Sequence, residues 1–479
     1  MNSNIKTKQK LSKKLKTILS GICLLVIPLL MLVAPTDATA LQTLQLNVGN
    51  TEKQALMGFG ASQPLDQQRL FTEYGVPRVT ALANAVYGDL GMGWVRLWVH
   101  TEEAQNLADM KDEFYTGYIT DGYLDIIKAA GVTHILLAPA MGEGAPTESM
   151  SAYAVKLAQF ILDIYTEHGV RVEVTGLANE PQGWTPTQIS DAVGLLRAEL
   201  DSRGLTYVGI IAPESASADD TALNAINGIK ANSASWSSLL GIATHSYNMG
   251  ATYLIEDAIV GTNKQYWQTE AGQTLPLATD EQPGNTEQAS TAAARFLSDM
   301  NNAVTHWMWF IGIGHYDTHP ANDSGQVLAR PDETTGGIKY NTEYHYLKQL
   351  RDVFKIGAVF REVLDPAGDR QFERRMTWGY GQKPAITVAM AKDTTGFWGI
   401  GIINTTGVTS NGQYSVFYPA DTYQVVINLP VQAYGKVFQV YRSATNGLGY
   451  SAAETITANC DILMVTVGPK ELVTLKSTN

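Results

Sequence analysis

From about residue 57 to residue 350, short and nearly continuous apolar runs alternate with stretches whose apolar residues recur at helical spacing. The apolar runs lie at 58–61, 94–99, 134–138, 172–177, 207–212, 241–245, 266–269 and 306–310. Helical spacing shows at 123–130, 152–168, 189–202 and 291–301. Strands that are apolar throughout and alternate with helices indicate a parallel sheet covered on its outer face. Eight such units predict a (β/α)8 barrel. The rival, an open doubly wound sheet, lacks a G-x-G-x-x-G after an early strand. Beyond about residue 355 the pattern changes. Runs at 385–391, 397–403, 423–429, 437–441, 463–467 and 472–475 alternate or are β-branched, and Gly, Asn, Asp and Pro clusters separate them. They predict an antiparallel β-sandwich. Leu44, Leu46 and Val48 share one face of an early strand that can join this sandwich. The expected fold class is therefore α/β: a (β/α)8 TIM barrel at 57–354, with an associated antiparallel β-sandwich side domain built from 355–479 and an N-terminal strand within 41–56.

Residues 1–40 read differently. Six lysines in the first sixteen residues precede an apolar run at 18–34, and Ala38-Thr39-Ala40 follows. This is the order of a secretory signal peptide, with cleavage expected after Ala40. The alternative is an uncleaved anchor, since the run is near the lower limit for a membrane span. Pro28 within it and the small residues at its end favour cleavage. The protein is thus expected to be secreted, or extracytoplasmic, with no membrane association after signal cleavage. Two cysteines in 479 residues exclude a disulfide scaffold and a four-thiolate metal site. The formal net charge is −12, and it becomes −17 without residues 1–40, which hold six lysines and one aspartate. So acidic a body argues against nucleic acid as a partner.

In a barrel the chemistry gathers where strands end at the C-terminal face. The fourth apolar run leads into Ala178-Asn179-Glu180-Pro181, and the seventh ends Thr269-Glu270-Ala271-Gly272. Strands four and seven lie on opposite sides of a closed barrel, so Glu180 and Glu270 face each other across its mouth. Cleavage of a glycosidic bond calls for two such carboxyl groups, one to protonate the leaving oxygen and one to attack or stabilise the anomeric carbon. Pro181 restricts the turn that aims Asn179 and Glu180 inward. Glu214, after the fifth strand, is a third acidic candidate, read as a capping or hydrogen-bonding group.

Taken together, Gly58-Phe59-Gly60-Ala61, Ala178-Asn179-Glu180-Pro181, His245-Ser246-Tyr247, Thr269-Glu270 and the run from Tyr344 to Leu350 resemble glycoside hydrolase clan A, and within it glycoside hydrolase family 30. The likeness spans essentially all of the chain after residue 40. It implies a retaining β-glycoside hydrolase with Glu180 as acid/base and Glu270 as nucleophile, acting on oligo- or polysaccharide without a cofactor. The alternatives are a non-catalytic carbohydrate-binding relative and a retaining hydrolase of another clan A family. The stretch Gly60-Ala61-Ser62-Gln63 departs from the family pattern, so no substrate preference is carried over.

Around the two carboxylates, Arg96 is expected to face the site and bind the nucleophile, and Asn179 to hold the sugar 2-hydroxyl. Tyr247 is expected to orient Glu270, and His245 to contact sugar or support that shell. Trp98, Trp184 and Trp309, at or beyond strand ends, are candidates for stacking on sugar rings. Trp94, Trp267 and Trp307 are expected in the core. The cluster His315-Tyr316-Asp317-Thr318-His319 is read as a loop rather than a metal site, because no ligand pair with zincin spacing accompanies it.

Overall fold

The computed structural model describes residues 41–63, 67–101, 106–140, 148–272, 286–314, 327–332, 334–370, 376–377, 384–408 and 418–478. The signal-like segment 1–40 and the cluster at 315–319 lie outside the described residues.

Eight parallel strands close into a barrel. In chain order they are Gly58–Gln63, Trp94–His100, His134–Ala140, Val174–Gly176, Gly209–Ser215, Gly241–His245, Gln265–Ala271 and His306–Trp309. Closure is made by the last pairing with the first, from His306 opposite Gly58 to Trp309 opposite Ala61. Inside, seven strands each give one residue to a packed layer: Trp94, Leu136, Val174, Ile211, Ala243, Trp267 and Met308. The first strand gives glycine instead, because a Cβ on Gly60 would stand 2.3 Å from the Trp94 carbonyl oxygen. Side chains alternate along a strand. The layer two residues further on, toward the C-terminal face, therefore holds Ser62, Arg96, Gly176, His245 and Phe310.

Helices cover the barrel where the sequence supplies caps. The helix Pro186–Ser202 starts three residues before its apolar spacing, because Thr185 and Gln188 form a capping box and Pro186 occupies the first turn. The helix Met150–His168 starts at a Ser149 cap whose hydroxyl accepts from the Ala152 N–H.

The second body is one mostly antiparallel sheet of nine strands. Leu46 and Val48 near one end of the strand order share a core with Phe438 and Val440 near the other, so the sheet folds into two layers. Asn404 fastens the layers by donating to the carbonyls of Val467 and Asp421. The strand Gln42–Ala55 runs antiparallel to Val359–Leu364 and parallel to Tyr423–Asn428. The strands Val359–Leu364 and Glu454–Thr457 were not legible in the apolar pattern, since Arg361 and Glu362 interrupt the first and polar residues fill the second. This body docks on the last two barrel helices. Tyr346 donates to the carbonyls of Ser443 and Lys470, and Asn301 donates to the Val388 carbonyl.

Candidate active site

Arg96 is the centre of the mouth. It is fully buried, two residues above Trp94 on the second strand. Its Nη1 donates to Glu270 Oε1 at 2.6 Å and to the Ser62 hydroxyl at 3.3 Å. Its Nη2 donates to Asn179 Oδ1 at 2.7 Å, and its Nε lies 3.5 Å from Glu214 Oε1. Burial pulls the guanidinium pKa down, but the Glu270 and Glu214 charges outweigh it, and the net direction is upward. Arg96 is therefore a fixed cation.

Two backbone irregularities bring the carboxylates to it. Along the seventh strand, Thr244 pairs with Gln268 but His245 pairs with Glu270, so one extra residue is taken up. Strict alternation from Trp267 would give Thr269 the inward position and turn Glu270 outward. The bulge resets the phase, a common use of bulges beside active sites. The Gln268 side chain accepts from the Glu270 N–H at 2.9 Å and fixes it. The fifth strand has the same slip between Pro213 and Ser215, and Glu214 is the extra residue. Glu180 and Glu214 both have positive φ, 47° and 55°, at non-glycine residues, which costs about 1–3 kcal/mol each. The Glu180 N–H donates to the Glu214 carbonyl at 3.0 Å and ties the two turns together.

Glu270 receives a third contact from Tyr247, whose hydroxyl donates to Oε2 at 3.1 Å. Burial first, and then the Glu270 charge, drive the Tyr247 pKa well above its usual value, so it stays a donor. His245 is fully buried with Nδ1 2.8 Å from Glu180 Oε1 and 3.4 Å from Glu270 Oε2. Glu180 is the more open carboxylate, its side chain 28% exposed against 5% for Glu270. Burial pushes its pKa up, but His245 and Arg96 prevail and hold it below the usual carboxylate value. An acid that donates a proton is expected to lie above it. The shift here has the opposite direction, because the ring nitrogen of His245 bonds directly to Glu180.

Oxygen atoms of Glu180 and Glu270 and a ring nitrogen of His245 lie within 4.8 Å of one another. Three such groups could ligate a metal ion. Arg96, 2.6 Å from Glu270, already places a positive charge against that set and opposes a second cation.

Of the residues anticipated from sequence, Arg96, Asn179, Glu180, His245, Tyr247 and Glu270 converge. Trp98 joins them, half-buried, with the Arg96 guanidinium 5.5 Å from its ring. Trp184 stands apart, 6% exposed and edge-on to Tyr153, where it lines a cavity beyond Glu180. Trp309 is a correction. It is fully buried and clusters with Trp307 on the helix side of the barrel, because inward alternation on the eighth strand runs through His306 and Met308. Phe310 continues that inward series. It is partly exposed and stacks on Trp98 at 5.7 Å. Sequence reasoning missed Phe310, although counting two from Met308 identifies it. It also gave Glu214 too small a place. That side chain is seated by Gly176, where a Cβ would stand 1.8 Å from Glu214 Oε2.

No protein-family model matches the sequence, and no curated protein matches it. Solved structures share the fold. The catalytic domain of GH30 xylanase C from Talaromyces cellulolyticus matches with a TM-score of 0.62 at 15% identity, over 91% of this chain and all of that one. SrfJ from Salmonella typhimurium matches with a TM-score of 0.64 at 11% identity, over 92% and 94%. A GH51 arabinofuranosidase from Xanthomonas axonopodis pv. citri matches with 0.60 at 12%, over 91% and 100%. The chain therefore has the barrel-and-sandwich fold seen in GH30 glycoside hydrolases.

Proposed function

We propose that this protein is a retaining β-glycoside hydrolase, secreted after cleavage behind Ala40, that acts on β-linked glycans. The observation that carries the proposal is the pairing of two carboxylates at the barrel mouth, with atoms within 4.8 Å and one of them clamped by a buried arginine. Retaining enzymes separate their carboxyl groups by about 5–5.5 Å, while inverting enzymes need about 6.5–9.5 Å to seat a water between them. An oxygen of each carboxylate lies within 4.8 Å of an oxygen of the other, and this close approach supports direct attack.

In the first step a Glu270 oxygen attacks the anomeric carbon, the bond to the leaving oxygen breaks, and Glu180 gives that oxygen its proton. In the second step Glu180 takes a proton from water as the water oxygen attacks the same carbon, and Glu270 is released as carboxylate. Arg96 and Tyr247 aim Glu270, and Asn179, itself held by Arg96, binds the sugar 2-hydroxyl in this reading. A sugar over the site removes the remaining exposure of Glu180. The added desolvation raises its pKa toward the protonated form that the first step uses.

No helix among the described residues is long and apolar enough to cross a membrane. Membership of family 30 is part of the proposal, and the GH51 arabinofuranosidase match supports a hydrolase of another family with this fold as the second reading. The test is NMR of freshly formed product. The substrate's anomeric configuration should appear first, and an initial product of opposite configuration would overturn the retaining assignment.

A further inference from the structure

A cavity of about 500 Å3 opens beyond Glu180, between the loops that follow the fourth and fifth strands. That volume falls within the range of small-molecule sites, about 300–1,000 Å3. Glu180 lines it, while Arg96, Tyr247 and Glu270 do not. This one-sidedness assigns its role. In a displacement at the anomeric carbon, the attacking oxygen and the leaving oxygen lie on opposite sides, and the acid stands beside the leaving oxygen. A cavity that touches the acid and not the nucleophile is where the departing part of the substrate extends.

Its walls are mixed. Trp184, with Pro186 and Ile189, gives one apolar side, held by the Thr185–Gln188 capping box. Gln182, Ser217 and Asn224 offer amide and hydroxyl groups. An apolar wall facing hydroxyl and amide groups matches a sugar ring, which has C–H faces and a hydroxyl rim. Asp219 adds a carboxylate, while no lysine or arginine lines the cavity among the described residues. We infer that this cavity seats the leaving-group sugar and that it selects a neutral sugar over a uronic acid. The inference rests on the hydrolase reading above and adds which side of the substrate is recognised, and by what.

Two variants test it without disturbing the fold. Asn224→Trp fills the cavity from an exposed helix position. Asp219→Asn removes the charge and keeps a good cap, since Asp219 accepts from the N–H groups of Thr221 and Ala222, and Asn caps equally well. β-Glucosyl, β-xylosyl and β-galactosyl fluorides leave as fluoride and need no sugar in the cavity, unlike neutral disaccharides with the same glycones. For Asn224→Trp, the ratio of kcat/KM on disaccharide to kcat/KM on fluoride should fall about tenfold or more. Equal loss on both substrates, or no loss on either, would overturn the inference. A disaccharide whose leaving unit is a glucuronate should be cut about tenfold more slowly than its neutral counterpart, with Asp219→Asn recovering at least about threefold of that. An unchanged discrimination would overturn the role of Asp219.

Saturation-transfer NMR reads the cavity without turnover. Methyl β-glucoside and methyl β-xyloside should be saturated by the unmodified protein, and Asn224→Trp should abolish the effect. Methyl β-glucuronide should show little. A protein that binds the neutral glycosides in this way but cleaves none of the fluorides or disaccharides keeps the cavity assignment and loses the hydrolase reading. A protein that cleaves the fluorides with an unaltered ratio in Asn224→Trp keeps the hydrolase reading and loses the cavity assignment.

Discussion

The mouth and the floor of the barrel both bury titratable side chains, yet they treat charge in opposite ways. At the floor, His306 stacks flat on Trp267 at 3.6 Å, and burial, with the neighbouring His134, takes its pKa down to about 3. Asp299, behind the barrel on the helix Thr286–Asn301, accepts from the Trp307 indole N–H at 2.8 Å. Burial pushes it up to about 7, against that hydrogen bond and the charge of Arg295. In these two cases desolvation wins and favours the neutral form. At the mouth, Arg96 is buried as deeply, yet contact with Glu270 at 2.6 Å reverses the downward pull of burial on a guanidinium that is charged in any case. Glu214 falls between. At 3.5 Å from Arg96 it has the weaker partner, and burial raises its pKa. The contrast teaches that a countercharge in contact can reverse the direction in which burial shifts a pKa.

The largest effect should come from removing the mouth's carboxylates. Glu270→Ala should lower kcat by about 10⁴-fold or more, with added azide yielding a glycosyl azide of inverted configuration. Glu180→Ala should retain turnover of substrates with activated leaving groups, and azide should restore it with retained configuration. Identical behaviour of the two variants would erase the division of roles.

Arg96→Met comes next. It leaves Glu270 and Glu214 buried without their common cation, which typically costs about 3–5 kcal/mol. Denaturant unfolding should show that loss together with a fall in kcat. Full stability would mean that the mouth, like the floor, tolerates neutral carboxyls.

A smaller effect should follow from His245→Gln. His245 and Arg96 lower the Glu180 pKa while burial raises it, so loss of the histidine moves the Glu180 pKa upward. Protonated Glu180 then persists to higher pH, and the alkaline limb of kcat/KM on disaccharides should move to higher pH. Glycosyl fluorides, which need no proton from Glu180, should lack this movement. A shift shared by both substrates would point to general disorder of the site instead.

The smallest effect concerns Asp299, behind the barrel. Folded Asp299 holds its proton up to about pH 7, whereas an unfolded aspartate releases it near 3.8. Between those values the unfolded chain binds fewer protons, so stability declines as pH rises. Asp299→Asn keeps an acceptor for Trp307 and removes this decline. Its melting temperature at pH 8 should exceed that of the unmodified protein by at least about 2 °C, with less difference near pH 4. An equal difference at both pH values would contradict a protonated Asp299.

The sequence by itself determined the alternation of eight buried strands with helices, the side sheet, and seven of the side chains that meet at the mouth. Apolar periodicity is a local property, and strand ends are legible because Asn179-Glu180-Pro181 and Thr269-Glu270 interrupt it. The outcome for Arg96 followed from period two alone. Tertiary structure decided the rest. Glu270 faces inward only because a bulge shifts it against both neighbouring strands, and the pairing that creates a bulge is non-local. Phe310 rather than Trp309 faces the mouth because the inward phase of a strand is set by what fills the barrel beneath it. The strand Val359–Leu364 was hidden by charges that find partners elsewhere, Arg361 reaching Glu52 at 2.8 Å. The direction of the Glu180 shift needed a histidine 65 positions away to lie at 2.8 Å. Electrostatics at that range depends on contact distances, and contacts between distant segments exist only once the barrel has closed.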